Sequence, residues 1–352
     1  MKTATATWIF YENYGTFLQA YALQQAIIQL GHSNHILDDS FFYKKSPFTI
    51  IKNRIIDIIK CRRNRNHTLY KKFKKEHLII DDKFTSVDEI ESRYDAYICG
   101  SDQIWSPYLK FNPYYYLGFT DKKKIAYAPS TGTGTCDDEY KKNVKPVLEK
   151  FAHIAVREEA GAQMLSSFIS KDIKTVLDPT LLLTQKEWKK VETTIDTDTP
   201  YILCYFLTPN KWYLNYVKEY ARRHNKTVKI FNTNPLYKEL EFDIVDAGPS
   251  EFITYIKNAE KVFTDSFHSS IFSILYHKDF ITFKRFKDGG KKDQNARIAN
   301  LFKKLEISSH FIGEEDLAGI ETLEKPHYNN VETILEKHRN DSKEYLRNAI
   351  EN

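Results

Sequence analysis

The chain is poor in several residue types that would mark particular classes of protein. Its 352 residues include 4 Cys, 12 Gly and 11 Pro. The cysteines lie far apart and form no Cys-x-x-Cys pair, so neither a disulfide framework nor a zinc site is indicated. Because Gly and Pro are scarce while 41% of residues are hydrophobic and 28% are charged, the composition is typical of a globular protein.

Long apolar runs and a strong charge of one sign are also missing. No run approaches the roughly 20 apolar residues that cross a bilayer, and Met1–Phe10 lacks the pattern of a signal peptide. The net charge of +5 does not call for nucleic acid as a partner. We therefore expect a soluble, cytoplasmic protein.

Length and hydrophobic periodicity predict two α/β domains, because the chain exceeds one ordinary core and alternates strands with helices. We place the first domain at 1–185, with a basic helical insertion at 41–77. A polar linker follows at 186–200, then the second domain at 200–327 and a helix at 328–352 that crosses back onto the first. The predicted fold is two facing doubly wound, Rossmann-like domains in a GT-B-like arrangement. The predicted strands are Thr3–Phe10, His35–Leu37, Tyr94–Cys99, Lys124–Ala128, His153–Val156, Ile173–Leu177, Tyr201–Leu207, Thr227–Phe231, Val262–Thr264 and Phe280–Phe283.

One strand–turn–helix stretch carries the strongest chemical signal. Val262–Thr264 predicts a buried strand, and Asp265 and Ser266 are good N-cap residues. His268 then falls in the first turn of a helix whose apolar residues recur at helical spacing: Phe267, Ile271, Ile274 and Leu275.

The start of this helix suits an anion and a proton transfer. Unpaired amides and the positive end of the helix dipole favour phosphate or carboxylate. A histidine there can move a proton near neutral pH. The alternative is that His268 merely caps the helix or fills a crevice, but Asp265, Ser266, Ser269 and Ser270 crowd around it. We favour the functional interpretation and expect His268 at an open helix terminus, outside the core.

Polar loops follow other predicted strands, where α/β proteins bind ligands. Gly100–Pro107, closed by Trp105, looks like a binding loop, whereas Pro129–Thr135 fits neither the P-loop nor the dinucleotide fingerprint. Arg157 ends a strand and can grip phosphate or carboxylate with two hydrogen bonds. An ion pair with Glu158 or Glu159 is an equal alternative for this arginine.

The insertion is strongly basic. Residues 44–75 hold twelve Lys and Arg against one acid, Asp57. Its isoleucines recur at three- and four-residue spacing, so the segment is either a basic amphipathic helix for an anionic membrane surface or an insertion whose apolar face packs on the first domain. The apolar positions are Phe48, Ile51, Ile55, Ile58 and Ile59.

Six motifs, taken in order, resemble the polysaccharide pyruvyl transferase family over most of the chain. They are Asn13-Tyr14-Gly15 with Leu18-Gln19-Ala20-Tyr21-Ala22-Leu23-Gln24, Gly100-Ser101-Asp102-Gln103-Ile104-Trp105, Ala126-Tyr127-Ala128-Pro129-Ser130, Val156-Arg157-Glu158-Glu159, Leu177-Asp178-Pro179-Thr180-Leu181 and Thr264-Asp265-Ser266-Phe267-His268-Ser269. The resemblance implies a GT-B-like fold and transfer of pyruvate from phosphoenolpyruvate to a sugar, as a cyclic ketal on a surface polysaccharide precursor.

The resemblance also implies roles for particular residues. His268 is the expected catalytic histidine and Arg157 the expected catalytic, donor-binding arginine. The remaining donor-binding residues are Ser266, Phe267, Ser269 and Ser270, and the expected acceptor-binding residues are Asn13, Tyr14, Gly15, Ser101, Asp102, Gln103, Trp105 and Ser130. Ser269-Ser270 stands where Gly-Thr is common in the family, which makes the donor fit less close.

Phosphoenolpyruvate and a lipid-linked sugar or oligosaccharide are the expected partners, without a cofactor or a metal, since the acidic residues show no ligand spacing. Peripheral attachment to the inner face of the cytoplasmic membrane through 44–75 would bring the protein to such an acceptor. Two other functions stay open: a GT-B nucleotide-sugar glycosyltransferase, and a non-catalytic carbohydrate-binding protein.

Overall fold

The computed structural model describes residues 1–42, 56–57, 59–62, 64–197, 199–286 and 295–352. Much of the basic insertion, with Phe48, Ile51, Ile55 and Ile58, lies outside the described residues. No helix in the described ranges has the length and apolar character needed to cross a membrane.

The described chain divides into two compact units. The first comprises Met1–Asn64, Lys74–Leu183 and Lys337–Asn352, and the second comprises Arg65–Phe73 and Thr184–Glu336.

The first unit is built on a parallel sheet with strand order β3-β2-β1-β4-β5-β6-β7. The central strand β4 is buried along its whole length, as expected for a parallel strand covered on both faces. The strands are β1 Lys2–Ala6, β2 Ser33–Leu37, β3 Ile80–Asp81, β4 Ala96–Cys99, β5 Lys123–Tyr127, β6 His153–Val156 and β7 Ile173–Thr175.

The second unit has its own parallel sheet, with strand order β10-β9-β8-β11-β12-β13. Its strands are β8 Tyr201–Tyr205, β9 Thr227–Phe231, β10 Asp243–Val245, β11 Lys261–Thr264, β12 Asp279–Phe283 and β13 Phe311–Ile312. In both sheets the order reverses beside a central strand, which is the doubly wound pattern. The predicted α/β, GT-B-like fold class is confirmed.

The helices of the described residues cover the sheets. They are α1 Tyr14–Gln29, α2 Arg65–His77, α3 Val87–Arg93, α4 Asp138–Leu148, α5 Glu159–Ser166, α6 Gln185–Trp188, α7 Lys211–His224, α8 Pro249–Asn258, α9 Phe267–Leu275, α10 Ala296–Lys304 and α11 Tyr328–Glu351.

The end of α11 belongs to the first unit, as the crossing C-terminal helix of the predicted fold requires. Leu346, Ala349 and Ile350 are buried in one core cluster with Leu23 of α1. The Ser342 hydroxyl accepts a hydrogen bond from the Leu177 amide at 3.0 Å. This helix therefore fixes the loop that follows β7.

The described part of the insertion differs from the prediction, which assigned it to the first domain. Arg65–Phe73, most of α2, groups with the second unit. The buried Asn66 side chain donates to the Asn232 carbonyl at 3.0 Å and accepts from the Ala247 amide at 2.9 Å. Asn232 and Ala247 follow β9 and β10, so one amide side chain ties α2 to that edge of the sheet.

The prediction of a linker at 186–200 is wrong for its first residues, which belong to helix α6. Thr184 caps α6 with a reciprocal capping box that involves Glu187, a signal of helix initiation that polarity alone conceals. Trp188 is fully buried and packs edge-to-face on Phe272 at a ring separation of 4.8 Å. These residues are part of the second unit's core.

Candidate active site

The predicted strand–turn–helix around His268 is confirmed. β11 ends at Thr264, and Ser266 is the N-cap of α9, with its hydroxyl accepting from the Ser269 amide at 3.4 Å. His268 lies in the first turn of α9, at the carboxyl edge of the second sheet. This is the position that an anion-binding helix terminus requires.

His268 is less open than the sequence predicts. Its residue exposure is 7%, and its ring meets the ring of Phe267 edge-to-face at 5.3 Å. The expectation of an open terminus is wrong because Phe267 and the rest of α9 are also buried. A substitution here therefore has to respect packing as well as chemistry.

The serines after His268 differ in what they contact. The Ser269 hydroxyl is buried and has no hydrogen-bond partner among the described residues. The Ser270 hydroxyl donates to the Ser266 carbonyl at 2.9 Å and lies 2.8 Å from the hydroxyl of Thr282 on β12. Ser270 thus holds the helix against β12, whereas the hydrogen-bonding capacity of the Ser269 hydroxyl is not used among the described residues.

Asp265 fixes the loop that follows β8. Its carboxylate accepts from the amides of Leu207 at 2.6 Å and Thr208 at 2.9 Å, and from the Tyr213 hydroxyl at 2.9 Å. Burial raises the pKa of Asp265, although the positive charge of Arg285 and these hydrogen bonds oppose the rise. The sequence marked Asp265 as a capping residue, but its carboxylate serves this loop instead.

The first unit gathers a second polar set, which we call the hydroxyl–carboxylate network. It contains Ser101, Ser130, Arg157, Glu158 and Asp178, which lie just beyond the carboxyl ends of β4 to β7. Arg157 donates from Nη1 to Asp178 at 2.7 Å and from Nε to Glu158 at 2.8 Å. Ser101 donates to Asp178 at 3.3 Å, and Ser130 donates to Glu158 at 2.7 Å. Four of the family motifs therefore meet in one connected group.

Arg157 forms ion pairs with two carboxylates, Glu158 and Asp178. An ion pair with Glu158 is one of the alternatives that the sequence left open, whereas Asp178 is a partner that the sequence did not indicate. The Arg157 side chain is 4% exposed. Burial lowers the pKa of Arg157, but the charges of Glu158 and Asp178 outweigh this and raise that pKa above its ordinary value. The donor-binding role of Arg157 stays a prediction, in which an incoming anion competes with these two carboxylates.

Asp102 lies beside the network in an unusual backbone conformation. Its φ is +73°, and Ala128, on the neighbouring strand's exit, has φ +56°. Such values cost about 1–3 kcal/mol for residues other than glycine and persist where the surroundings enforce them. Here the Ser130 amide donates to the Asp102 carbonyl at 2.8 Å, and Thr16 donates to the Asp102 carboxylate at 2.7 Å.

The other predicted acceptor residues have mixed positions. Asn13 is the N-cap of α1, while Tyr14 and Gly15 are buried in its first turn. Gln103 is partly exposed beside Gly132, where its Nε2 would lie 2.5 Å from an added Cβ. Trp105 does not close a binding loop: it is fully buried, stacks on Tyr116 at 5.3 Å and donates to the Tyr115 carbonyl. Its large apolar ring is buried in the core although the residues around it in the sequence are polar.

Sequence reasoning assigned no role to two buried acceptor atoms near these residues. Oε1 of Gln19 and Oε2 of Glu158 have no hydrogen-bond partner among the described residues. Nε2 of Gln19 donates to Thr7 at 3.0 Å and to the Thr16 carbonyl at 2.9 Å, so the orientation of its amide is fixed. Both residues stand in the family motifs, and that membership was the signal that could have found them.

Comparison with known protein families settles the membership of this chain. The polysaccharide pyruvyl transferase profile matches residues 13–285. The chain belongs to that family. The match includes both the His268 helix and the hydroxyl–carboxylate network. A comparison with curated proteins finds no match.

Solved structures share the fold of this family member. UDP-GlcNAc 2-epimerase from Methanocaldococcus jannaschii aligns with a TM-score of 0.54 at 13% identity, covering 96% of this chain and 99% of that one. The Staphylococcus aureus MnaA–UDP co-structure aligns with a TM-score of 0.52 at 11% identity, covering 99% and 91%. At such identities the likeness concerns the GT-B-like fold alone.

Proposed function

We propose that this transferase moves pyruvate from phosphoenolpyruvate to two hydroxyls of one sugar and forms a cyclic ketal on a cell-surface polysaccharide precursor. The observation that carries the proposal is the family match over residues 13–285, with His268 in the first turn of α9 inside it. A basic side chain beside a helix N-terminus supports chemistry on a phosphorylated donor.

The reaction balances without a redox partner. One sugar hydroxyl adds its oxygen to the enol carbon, and the methylene carbon takes a proton and becomes a methyl group. A second hydroxyl of the same sugar then forms the other C–O bond while the bond to phosphate breaks. Its proton leaves with inorganic phosphate, so the products are the ketal and phosphate. We propose that no cofactor or metal takes part.

His268 is the proposed general acid–base for these proton transfers. Ser266, Phe267, Ser269 and Ser270 form the turn that would hold the donor anion. In this turn the buried Ser269 hydroxyl has no hydrogen-bond partner among the described residues, which supports the proposal that it binds the donor. Ser270 would act by holding that turn against β12.

Arg157 is the proposed donor-binding arginine of the first unit. Arg157→Lys keeps the charge but loses the planar fork. We expect the KM for phosphoenolpyruvate to rise about tenfold, which corresponds to one charge-assisted hydrogen bond. An unchanged KM with a lowered unfolding temperature would assign Arg157 to the ion-pair network alone.

The acceptor sugar is proposed to bind at the hydroxyl–carboxylate network and the loops beside it. Sugar hydroxyls donate hydrogen bonds, and Gln19 Oε1 and Glu158 Oε2 are buried acceptors without partners among the described residues. Asp102, Gln103 and Ser130 would orient the ring from the exits of β4 and β5, and Asn13, Tyr14 and Gly15 from the start of α1.

Product analysis tests the function directly. The chain is incubated with lipid-linked sugar acceptors and either phosphoenolpyruvate or UDP-sugars. We expect phosphate release and a ketal signal in product NMR with the first donor only. UDP release with the second donor would favour a nucleotide-sugar glycosyltransferase. This alternative is tested because one of the solved structures with a similar fold contains UDP. Glycan binding without either product would indicate a non-catalytic carbohydrate-binding protein.

Peripheral membrane contact through 44–75 is a separate proposal, and it would place the cytoplasmic enzyme at a lipid-linked acceptor. Basic residues near an anionic surface contribute about 1 kcal/mol each, and salt weakens this attraction. We expect co-sedimentation with anionic but not neutral liposomes, reduced when Lys52, Arg54, Arg62 and Arg63 are changed to Glu. Equal recovery with both vesicle types would refute it.

A further inference from the structure

An exposed aromatic segment follows β1 in the first unit. It comprises residues 8–11, with the sequence Trp-Ile-Phe-Tyr, and we call it the aromatic loop. Ile9 is buried in the core, whereas Phe10 is 40% exposed and Tyr11 is 61% exposed. Large apolar side chains that are exposed side by side mark interaction sites more often than singly scattered ones do. The loop ends before residue 13, where the family match begins, so it belongs to this chain's own sequence.

The aromatic loop rests on a fixed support. Trp8 is partly exposed, and its ring lies edge-to-face to Tyr11 at 5.4 Å and to Tyr115 at 6.2 Å between ring centroids. Tyr115 is buried, and its carbonyl accepts hydrogen bonds from Trp105 Nε1 at 3.0 Å and from Cys99 Sγ at 2.9 Å. Because the support is already ordered, a ligand that binds these rings has little ordering cost to offset.

The aromatic loop begins next to the hydroxyl–carboxylate network. The strand order of the first sheet reverses between β1 and β4, and α/β proteins bind ligands in the crevice beyond such a point. Thr7, at the exit of β1, donates to the Ser101 carbonyl at 3.2 Å and accepts from Gln19 Nε2 at 3.0 Å. Gly100 permits this close approach, because an added Cβ would lie 2.9 Å from the Cβ of Thr7. Trp8 is therefore one residue away from a direct contact with the network.

The network and the aromatic loop offer complementary groups to a glycan. The network supplies hydroxyls and carboxylates, and beside it Oε1 of Gln19 is buried without a partner among the described residues. Trp105 and Tyr127, which stand close to its serines in the sequence, are fully buried and present no ring face. The apolar C–H face of a sugar packs on an aromatic ring, which combines an apolar surface with a polar edge. Such ring faces are available in the next loop, at Phe10 and Tyr11.

The charge of this region favours a glycan over a membrane surface. The sequence from residue 3 to residue 31 contains no Lys or Arg, and its one charged residue is the acid Glu12. Attraction to anionic lipid depends on basic residues near the surface. Exposed aromatic rings without basic neighbours in the sequence, next to hydroxyl and carboxylate groups, suit an uncharged sugar.

We infer that the acceptor contains at least two sugars, and that the aromatic loop stacks on the sugar next to the one that receives pyruvate. This inference rests on the proposed function, in which the ketalated sugar lies at the hydroxyl–carboxylate network. The four residues of the loop span at most about 14 Å, so Tyr11 stays within reach of a short glycan whose end lies at Ser101. Phe10 and Tyr11 are thus specificity-determining residues that select an oligosaccharide over a single sugar.

Calorimetric titration of the full-length protein tests this with matched pairs: glucose and cellobiose, galactose and lactose, and N-acetylglucosamine and chitobiose. We expect at least one disaccharide to bind about tenfold more tightly than its monosaccharide, the gain of one stacked ring. Tyr11→Ala should remove this advantage, whereas Leu236→Ala, which removes an exposed apolar side chain from the second unit, should not. A disaccharide advantage absent from every pair, or unchanged in both Tyr11→Ala and Phe10→Ala, would overturn the inference.

Tryptophan fluorescence locates the bound sugar. The disaccharide should change the emission of the wild type, and Trp8→Phe, which keeps a ring against Tyr115, should abolish that change. A change that persists in Trp8→Phe would place the sugar elsewhere and refute the site. Adsorption to neutral phosphatidylcholine vesicles that Tyr11→Ala abolishes, without any disaccharide preference, would instead assign the aromatic loop to a lipid surface.

The titrations need no phosphoenolpyruvate, so the inference and the proposed reaction can fail separately. A disaccharide preference that depends on Tyr11, without phosphate release from phosphoenolpyruvate, would support the aromatic loop and refute the reaction. Phosphate release that is as efficient with a monosaccharide as with its disaccharide would support the reaction and refute the second sugar position.

Discussion

Nη1 of Arg157 donates a hydrogen bond to Oδ2 of Asp178 at 2.7 Å, and the two side chains are 4% and 1% exposed. Asp178 also accepts from the Thr180 amide at 3.0 Å and its hydroxyl at 2.6 Å. A buried ion pair needs such additional bonds because removing two charges from water costs several kcal/mol per ion. The pair therefore links the exits of β6 and β7 and fixes the polar surface at that edge of the sheet.

Breaking this pair should destabilise the first unit. Asp178→Asn keeps the size of the side chain but removes the charge that faces Arg157. We expect the free energy of unfolding in urea to fall by about 3–5 kcal/mol, since one buried charge loses its partner. Asp172→Asn, whose side chain is 75% exposed, is the control with little expected change. A loss no larger than the control's would mean that Glu158 alone compensates Arg157.

His268 is predicted to be essential for turnover but not for folding. His268→Gln approximates the volume of the ring, which matters because the residue is 7% exposed. Removing a general acid–base costs about 100-fold to 10,000-fold, and we expect phosphate release to fall by at least the lower figure. The thermal unfolding temperature should stay close to that of the wild type.

His277→Gln supplies the matched control for that change. His277 lies just beyond the other end of α9, is exposed and contacts Glu332 at 3.0 Å. Phosphate release should be unaffected by its removal. Near wild-type turnover in the His268 variant would remove that residue from the proposed mechanism.

The main strands and helices could be predicted because their signals are local. Phe267, Ile271, Ile274 and Leu275 show the period of α9, and each is buried. The strands β3, β10 and β13 were missed because they contain only two or three residues and owe their state to pairing at or near a sheet edge. Such pairing is a tertiary interaction that no short sequence window contains.

The sequence predicted where the residues of the candidate site lie, but not which hydrogen-bond partners they have. Ser101, Ser130 and Arg157 were selected because each follows a strand, and parallel strands bring their carboxyl ends together. Which carboxylate holds Arg157 depends on the strand order, in which β6 neighbours β7 and places Asp178 beside it. The expectation that Trp105 closes a binding loop was not met for a different reason. Burial of its large ring outweighed the polarity of the neighbouring residues.

Asn66 should anchor α2 to the second sheet. Its side chain makes two bonds to backbone groups beyond β9 and β10, at 3.0 and 2.9 Å, in a buried position. Asn66→Ala leaves those groups unpaired, so we expect a loss of about 1–3 kcal/mol in the free energy of unfolding. Asn348→Ala, at an exposed helical position, controls for the change in residue type. Equal effects of the two variants would show that α2 does not depend on this side chain.

Asp265 should give the second unit a stability that decreases as pH rises. Burial raises the pKa of Asp265, so the native state keeps its proton at pH values where the unfolded chain, with a carboxyl pKa of about 4, has lost it. The native state then binds more protons than the unfolded state, and linkage makes stability fall from about pH 4 upward through the raised pKa. Asp265→Asn has no such proton to lose. In urea unfolding at a series of pH values, the stability of the wild type relative to this variant should decline as pH increases. The exposed Asp316→Asn variant controls for the loss of a carboxylate. A relative stability that grows with pH would mean that Arg285 and the three hydrogen bonds outweigh burial at Asp265.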